Sequence, residues 1–367
     1  MHCVLVYFIQ KAAPMTILTF ASDAHHAHAP QTEFLHGKHV PFFEKPQRID
    51  NLRAALTAAN LIHLHQPETL VSKDELAKTH SRGMLDHFEH LSTNLLDVLR
   101  TDFGIYRMQD EVTEDQYYYE SVFPPRSSKG DDDRRGFYIF DSTSPIGAET
   151  WEAILHSATL AYAGAKALLD GERRAYALCR PPGHHAGYDF AGGYCYVNNA
   201  AVAANVLKAR GKVAILDIDY HHGNGTQQLF WNDPDVLFVS LHADPAVDYP
   251  YYSGFAGESG GSDAPGSNIN VPLPHGTTTT TYVSALNTAL ERITAYGVDA
   301  LVISLGWDTY KDDPMAKFEL AVDDYGQLGA MIDAVGLPTL YVQEGGYAVE
   351  MLGAMAVRFF RGVLAGV

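Results

Sequence analysis

Cysteine is almost absent from this chain. The three that occur, Cys3, Cys179 and Cys195, sit at spacings that make neither a disulfide framework nor a metal knuckle. A reducing compartment, the cytoplasm, is the expectation, with Cys179 and Cys195 as small buried apolar residues. Positive charge is scarce as well: 26 lysines and arginines face 44 aspartates and glutamates, for a net charge of −18. Binding to nucleic acid or to an anionic membrane surface needs a concentrated basic face, so neither is expected as a partner. A negative field instead concentrates cationic ligands, though acidity also serves solubility alone. No segment approaches the roughly 20 apolar residues of a membrane helix. Cys3 to Ile9 is apolar but too short, and lacks the basic flank of a secretory signal. Repeats of solenoid length are missing too.

What the chain does have is core: 46% of its 367 residues are apolar, enough for one large α/β unit. Strand patterns cover Lys212 to Asp219, Val236 to His242, Ala300 to Leu305 and Pro338 to Gln343. Helical patterns cover Trp151 to Leu169, Asn198 to Arg210, Thr281 to Tyr296 and Asp324 to Val335. Strands separated by helices of this length imply right-handed βαβ crossovers and a parallel sheet. One tract, from about Asp102 to Pro145, has no clear period but carries Tyr117-Tyr118-Tyr119-Glu120, Phe123-Pro124-Pro125-Arg126 and Gly130-Asp131-Asp132-Asp133-Arg134-Arg135. A segment of that length is functional or disordered, and its aromatic content argues against simple disorder.

Several apolar runs deliver polar groups at their carboxyl ends, which is where open parallel sheets bind ligands. Val213 to His221 ends in Asp219 and His221, two residues apart, a spacing that points both side chains the same way if the strand continues. Arg180-Pro181-Pro182-Gly183-His184-His185 follows the apolar run Ala175 to Cys179. Leu301 to Asp308 ends in one carboxylate, and Leu340 to Tyr347 runs into two glycines and a tyrosine. An Asp, His, Asp set around one cation leaves coordination positions open, as catalytic metal sites do, and points to hydrolysis by activated water. Zinc suits these donors, but so do Fe(II), Co(II) and Mn(II). His222, next to a ligand and on the other strand face, is expected to be packed and hydrogen-bonded rather than a fourth ligand.

Arg180-Pro181-Pro182-Gly183-His184-His185, Asp217 to Thr226, Ser304-Leu305-Gly306-Trp307-Asp308 and Glu344-Gly345-Gly346-Tyr347 resemble the signatures of the zinc-dependent histone deacetylase superfamily. The similarity runs from about Met15 to the C-terminus. The tract before Trp151 and the run Gly192 to Ala201 look like its bacterial acetylpolyamine amidohydrolase branch. The resemblance implies a three-layer αβα fold with a central, mostly parallel eight-stranded sheet, shared with arginases. It also implies a single catalytic domain over residues 15–367 with an insertion at about 102–145. Residues 1–14 are read as an extension without assigned function.

Residue by residue, the resemblance makes Asp219, His221 and Asp308 the zinc ligands. His185 becomes the general base and then acid, held by Asn224; His184 lends electrostatic support and is held by Asp217. Tyr347 becomes the oxyanion donor. Gly193 supplies a carbonyl for the scissile amide N–H, while Tyr194 and Tyr249 wall the acyl-chain tunnel. A structural potassium ion is implied at Asp217, Asp219, His221, Ser240 and Leu241. Asp132, with Glu120 as a second candidate, lies near the position from which the branch presents an acid to a substrate ammonium; a solvated charged turn is the alternative. Met315 stands where eukaryotic polyamine deacetylases carry a glutamate, and Arg48 matches an arginine near the acetate-release region. The implied substrate is a small cationic acetylated amine, with acetyl-lysine peptides as the alternative, and the implied assembly is a homodimer through the insertion. An arginase-like ureohydrolase is disfavoured because Asp308-Thr309-Tyr310 lacks the second carboxylate of a two-metal site.

Overall fold

The computed structural model describes residues 16–35, 37–105, 112–113, 115–119 and 137–366. Ten strands occur among them: β1 Ile17–Phe20, β2 Thr32–Leu35, β3 Lys38–Pro41, β4 Ile62–His65, β5 Arg174–Ala177, β6 Val213–Asp217, β7 Val236–Ala243, β8 Asn268–Leu273, β9 Ala300–Leu305 and β10 Thr339–Gln343. Eight form one sheet in the order β4-β1-β5-β10-β9-β6-β7-β8, while β2 and β3 form a separate hairpin. Every pairing in the large sheet is parallel, so the sheet is wholly rather than mostly so.

Alternation along the strands builds the three layers. In β9, Leu301, Ile303 and Leu305 join a core with the helices Gln47–Ala58, Thr279–Tyr296, Tyr325–Asp333 and Val349–Leu364. Ala300 and Val302 face the opposite way, onto the helices Thr150–Leu169, Asn199–Leu207 and Asn224–Phe230. Burial on both faces explains why these strands read as continuous apolar runs. No helix among the described residues is long and apolar enough to cross a membrane.

The four helical patterns are found with ends shifted by a few residues. Asn198 is a cap rather than a helical residue, its side chain accepting from the Ala201 N–H. A larger departure concerns β6, which ends at Asp217 instead of Asp219. Ile218 still donates to the Ser304 carbonyl, but the chain then bends, the Asp217 carboxylate accepting from the Asp219 N–H. Asp219 and His221 therefore meet through a bend stabilised by side chains, not through strand alternation. The central strands β5, β10, β9 and β6 lie side by side, and the loops leaving their carboxyl ends carry the polar clusters.

Candidate metal centre and catalytic cavity

The loops after β6 and β9 bring Asp219, His221 and Asp308 together, with one ligand atom from each within 4.8 Å of the others. His221 Nδ1 lies 3.2 Å from Asp308 Oδ2 and 3.4 Å from Asp219 Oδ1. Backbone amides orient the carboxylates: Tyr220 N donates to Asp308 Oδ1, while His221 N and Gly345 N donate to the two oxygens of Asp219. Gly345 and Gly306 are glycines for space. A Cβ at Gly345 would stand 2.6 Å from both Asp219 Oδ2 and Asp308 Oδ2, and one at Gly306 would collide with Asp219. Freedom at positive φ is used by Gly346, at 112°, and not by Gly345.

The electrostatics of this pocket call for a cation. Asp217, Asp219, Asp308 and Glu344 are all fully buried, and buried charges need partners or a metal. Burial and the facing Asp219 lift the Asp308 pKa to about 7, so this carboxyl resists ionisation without positive charge beside it. Burial also opposes the Asp219 anion, but His184 and His221 hold its carboxyl well below the usual range. Three converging N and O donors fit a zinc-like dication and leave its further positions free.

Above the ligands stands the histidine pair, ring centroids 4.0 Å apart. His184 Nδ1 pairs with Asp217 Oδ2 at 3.0 Å, and His185 Nδ1 with Asn224 Oδ1 at 2.7 Å. The partners drive the rings in opposite directions. Burial disfavours the His184 cation, yet Asp219 and Asp217 outweigh it and lift its pKa to about 10. Burial and the neighbouring His184 and His221 depress His185 well below its ordinary value, and an amide partner contributes no countercharge. A dication bound at Asp219 would weaken the field that holds His184 charged.

A cavity of about 750 Å3 opens over this floor, lined by His185, His221, Gly193, Tyr194, Tyr249 and Tyr347, and also by Lys38, Val247, Asp248, Met315 and Lys317. The Tyr347 ring lies 5.5 Å from that of Tyr194, and burial keeps its phenol protonated far above neutral pH. Tyr249 stands edge-on to His185 at 5.0 Å. Tyr194 holds a φ of 67°, uncommon for an aromatic, fixed by its hydroxyl on Glu33 and its ring against Phe42. At the potassium positions, Asp217 and Ser240 are register partners across β6 and β7, and Leu241 follows in β7.

Several groups support the site through the backbone, a role not legible in the sequence. Asp141 accepts from Gly193 N at 2.9 Å and from the Tyr249 hydroxyl at 2.8 Å, joining two cavity walls. It belongs to the irregular tract, where no periodic pattern singles it out. Asp313 accepts from the backbone amides of Tyr347 and Ala348, and Glu344 from those of Gly183 and His184. Arg48 is buried, paired with Glu44, and bonded to the carbonyls of Gly346 and Glu344, with its guanidinium 5.1 Å from the Tyr347 ring centroid. It is thus both a helix-start ion pair and a clamp on the tyrosine loop. His222 is buried 4.5 Å from His242 as packing predicts, but neither ring nitrogen has a well-aligned hydrogen bond, contrary to expectation. Asp132 and Glu120 lie outside the described residues, as do residues 1–14 and much of the insertion.

Fold and site together define a class, an αβα protein with a candidate metal centre and a tandem histidine pair at the carboxyl ends of a parallel sheet. The chain belongs to the histone deacetylase family, whose domain model matches residues 41–363. It is 42% identical over 355 residues to acetylpolyamine amidohydrolase 1 of Pseudomonas aeruginosa, covering 94% of this chain and 98% of that protein. Against the acetylpolyamine amidohydrolase of Mycoplana ramosa it is 37% identical over 350 residues, 93% of this chain and 98% of that one. A crystal structure of acetylpolyamine aminohydrolase from Burkholderia pseudomallei superposes with a TM-score of 0.86 at 38% identity, covering 95% of this chain and 98% of that one. Members of the family are generally metal-dependent, in keeping with the ligand set found here.

Proposed function

We propose that the protein is a zinc-dependent amidohydrolase that removes acetyl from small N-acetylated diamines or polyamines. The observation that carries this is the buried Asp219, His221, Asp308 set at the floor of a tyrosine-lined cavity. Relatives named as acetylpolyamine amidohydrolases, similar over nearly the whole length, support the substrate class. A dication at the three ligands, zinc with Fe2+ or Co2+ as alternatives, would supply Lewis acidity toward an amide carbonyl and toward water.

His185, kept neutral by burial, takes the proton from the attacking water and later passes it to the leaving amine. His184, tied to Asp217 at 3.0 Å, is placed to stabilise negative charge developing beside it. Tyr347, protonated at every working pH, donates to the oxyanion. The Gly193 carbonyl receives the amide N–H, and the rings of Tyr194 and Tyr249 hold the methylene chain. Asp217, Asp219, His221, Ser240 and Leu241 would hold a potassium ion, which would stiffen the loop that carries Asp219 and His221. Asp132 or Glu120 receives the distal ammonium, and the insertion joins two copies in a cytoplasmic homodimer.

One observation favours acetyl-lysine peptides as a second reading. Among the described residues lining the cavity, Met315, Lys38 and Lys317 offer a distal ammonium no countercharge, and the carboxylate of Asp248 is engaged by the Tyr220 hydroxyl and His275. The deciding measurement is kcat/KM, side by side, on acetylputrescine, acetylcadaverine, acetylspermidine and an acetyl-lysine peptide. A preference for the small amines, with KM for them rising in Asp132→Ala or Glu120→Ala, upholds the proposal. A preference for the peptide replaces it with the second reading.

A further inference from the structure

A second set of ligand atoms converges away from the cavity, between the 3-10 turn Asp23–Ala27 after β1 and the first turn of the helix Gln47–Ala58. His25 Nε2 lies 3.3 Å from Asp50 Oδ1 and His26 Nε2 lies 3.1 Å from Asp50 Oδ2. One atom from each of the three residues falls within 4.8 Å of the others.

Backbone carbonyls fix where the imidazole protons sit. His25 Nδ1 is 2.7 Å from the Ser22 carbonyl oxygen and His26 Nδ1 is 3.1 Å from that of Asp23. A carbonyl oxygen only accepts, so each Nδ1 bears the proton and each neutral ring presents a bare Nε2 lone pair. Both lone pairs are aimed at one carboxylate. Protonation of the exposed His26 alone would turn its contact into a hydrogen bond to Asp50 but would leave the buried His25 lone pair facing the carboxylate, so relief for both rings needs double protonation or a cation among the three groups. Double protonation is opposed by geometry, because the rings lie 3.9 Å apart. Burial opposes it as well, since His25 is 3% exposed. His25 Nε2 is also buried without a hydrogen bond.

We propose that His25, His26 and Asp50 form a second metal site, separate from the catalytic centre, for a divalent transition metal of the zinc class. Donation of Nδ1–H to a carbonyl is the usual outer support of a histidine that ligates through Nε2. With bonds of about 2.0–2.1 Å to nitrogen and oxygen, tetrahedral ligands stand roughly 3.3 Å apart, close to the separations here. Two imidazoles and one carboxylate select against calcium and magnesium, which take oxygen sets. His26 is exposed, so the remaining position opens to water and the site is weaker than the buried one. Occupancy would tie the turn to the helix and steady the His25 carbonyl, which accepts from Arg180 beneath the cavity wall.

Equilibrium dialysis of the enzyme against rising Zn2+ at neutral pH, with elemental analysis, tests this without reference to substrate. The wild type should take up a second equivalent with a rise in thermal midpoint. His26→Ala and Asp50→Asn should lose that equivalent, or bind it at least about tenfold more weakly, with activity at one equivalent unchanged. Asp308→Ala, which removes a catalytic ligand, should retain one equivalent. Saturation of the wild type at one equivalent, or an undiminished second equivalent in His26→Ala, overturns the site; should Asp308→Ala fail to fold, the His26→Ala comparison decides alone.

Discussion

Replacing Gly345 by alanine isolates the geometry of the proposed metal centre, because it adds one methyl group and changes neither charge nor hydrogen-bond donors. The new Cβ would stand 2.6 Å from Asp219 Oδ2 and equally close to Asp308 Oδ2. Each oxygen must retreat by about 0.8 Å to reach ordinary contact, and interiors at crystal-like density rarely yield so far. Metal sites tolerate displacements of only about 0.2 Å in ligand distance. Two of the three ligands are therefore pushed beyond tolerance together. Disturbing groups outside the ligand set already costs roughly 10- to 100-fold in affinity, so displacing ligands directly should cost more than about 100-fold. The assay is metal content after dialysis at defined free zinc, with kcat/KM on the same samples and circular dichroism to establish folding. Gly326→Ala serves as control: its Cβ meets only the Arg358 carbonyl oxygen, at 3.5 Å, inside a helix. There the substitution should be neutral or stabilise by about 0.5–1 kcal/mol. A folded Gly345→Ala enzyme with full metal and wild-type turnover would refute the convergence of Asp219 and Asp308 on one ion.

Tyr347→Phe should lower kcat by about 100- to 1,000-fold, the loss typical of an oxyanion donor, while metal content stays constant; unchanged kcat removes the phenol from the mechanism. Asn224→Asp places a carboxylate 2.7 Å from His185 and should raise that imidazole's pKa, because the new anion stabilises its charged form. Because the base works when neutral, the acid limb of the kcat/KM profile should move to higher pH, and a stationary limb in an active variant assigns the limb to another group. His80 tests linkage far from the metal. It is fully buried, with its pKa lowered to about 4, so its contribution to stability is complete above the unfolded value near 6.5 and declines as pH falls toward 4. About 2 kcal/mol should be lost between pH 6.5 and 5 at roughly 1.4 kcal/mol per unit, and urea unfolding of His80→Gln should lack that part of the slope. Chelation should abolish turnover and Zn2+ should restore it; full activity in metal-free protein would contradict the proposed chemistry.

The elements most readily read from sequence are those buried on both faces. β6, β7, β9 and β10 are surrounded by core, so their apolar runs stood out, and the groups they deliver follow within a few residues. β4 and the hairpin of β2 and β3 are largely exposed and mixed in composition, and they gave no pattern. Bends were harder still. The Asp219, His221 pair was located by a rule of strand alternation that does not operate there, and it converged because the Asp217 carboxylate ends the strand by capturing the Asp219 amide. The two side chains are thus brought together by a bend that the spacing alone did not display.

The supporting groups share one property: they act on backbone, which sequence motifs do not display, so even Arg48, singled out by resemblance, gave no sign of the loop it holds. Asp313 anchors the Tyr347 amide, Glu344 the His184 amide, Asp141 the Gly193 amide and Arg48 the Gly346 carbonyl. Each holds the main chain of a loop whose side chain faces the cavity, and loops need such restraint because no sheet ladder fixes them. A motif records which side chains reach the reacting atoms, whereas precision depends on buried charges bound to amides elsewhere. Substitutions such as Asp313→Asn or Arg48→Met should therefore lower kcat while leaving metal content unaltered, since they loosen Tyr347 and not the ligands. Loss of metal in either would mean that the tyrosine loop and the ligand loops form one mechanical unit, coupled through Gly345.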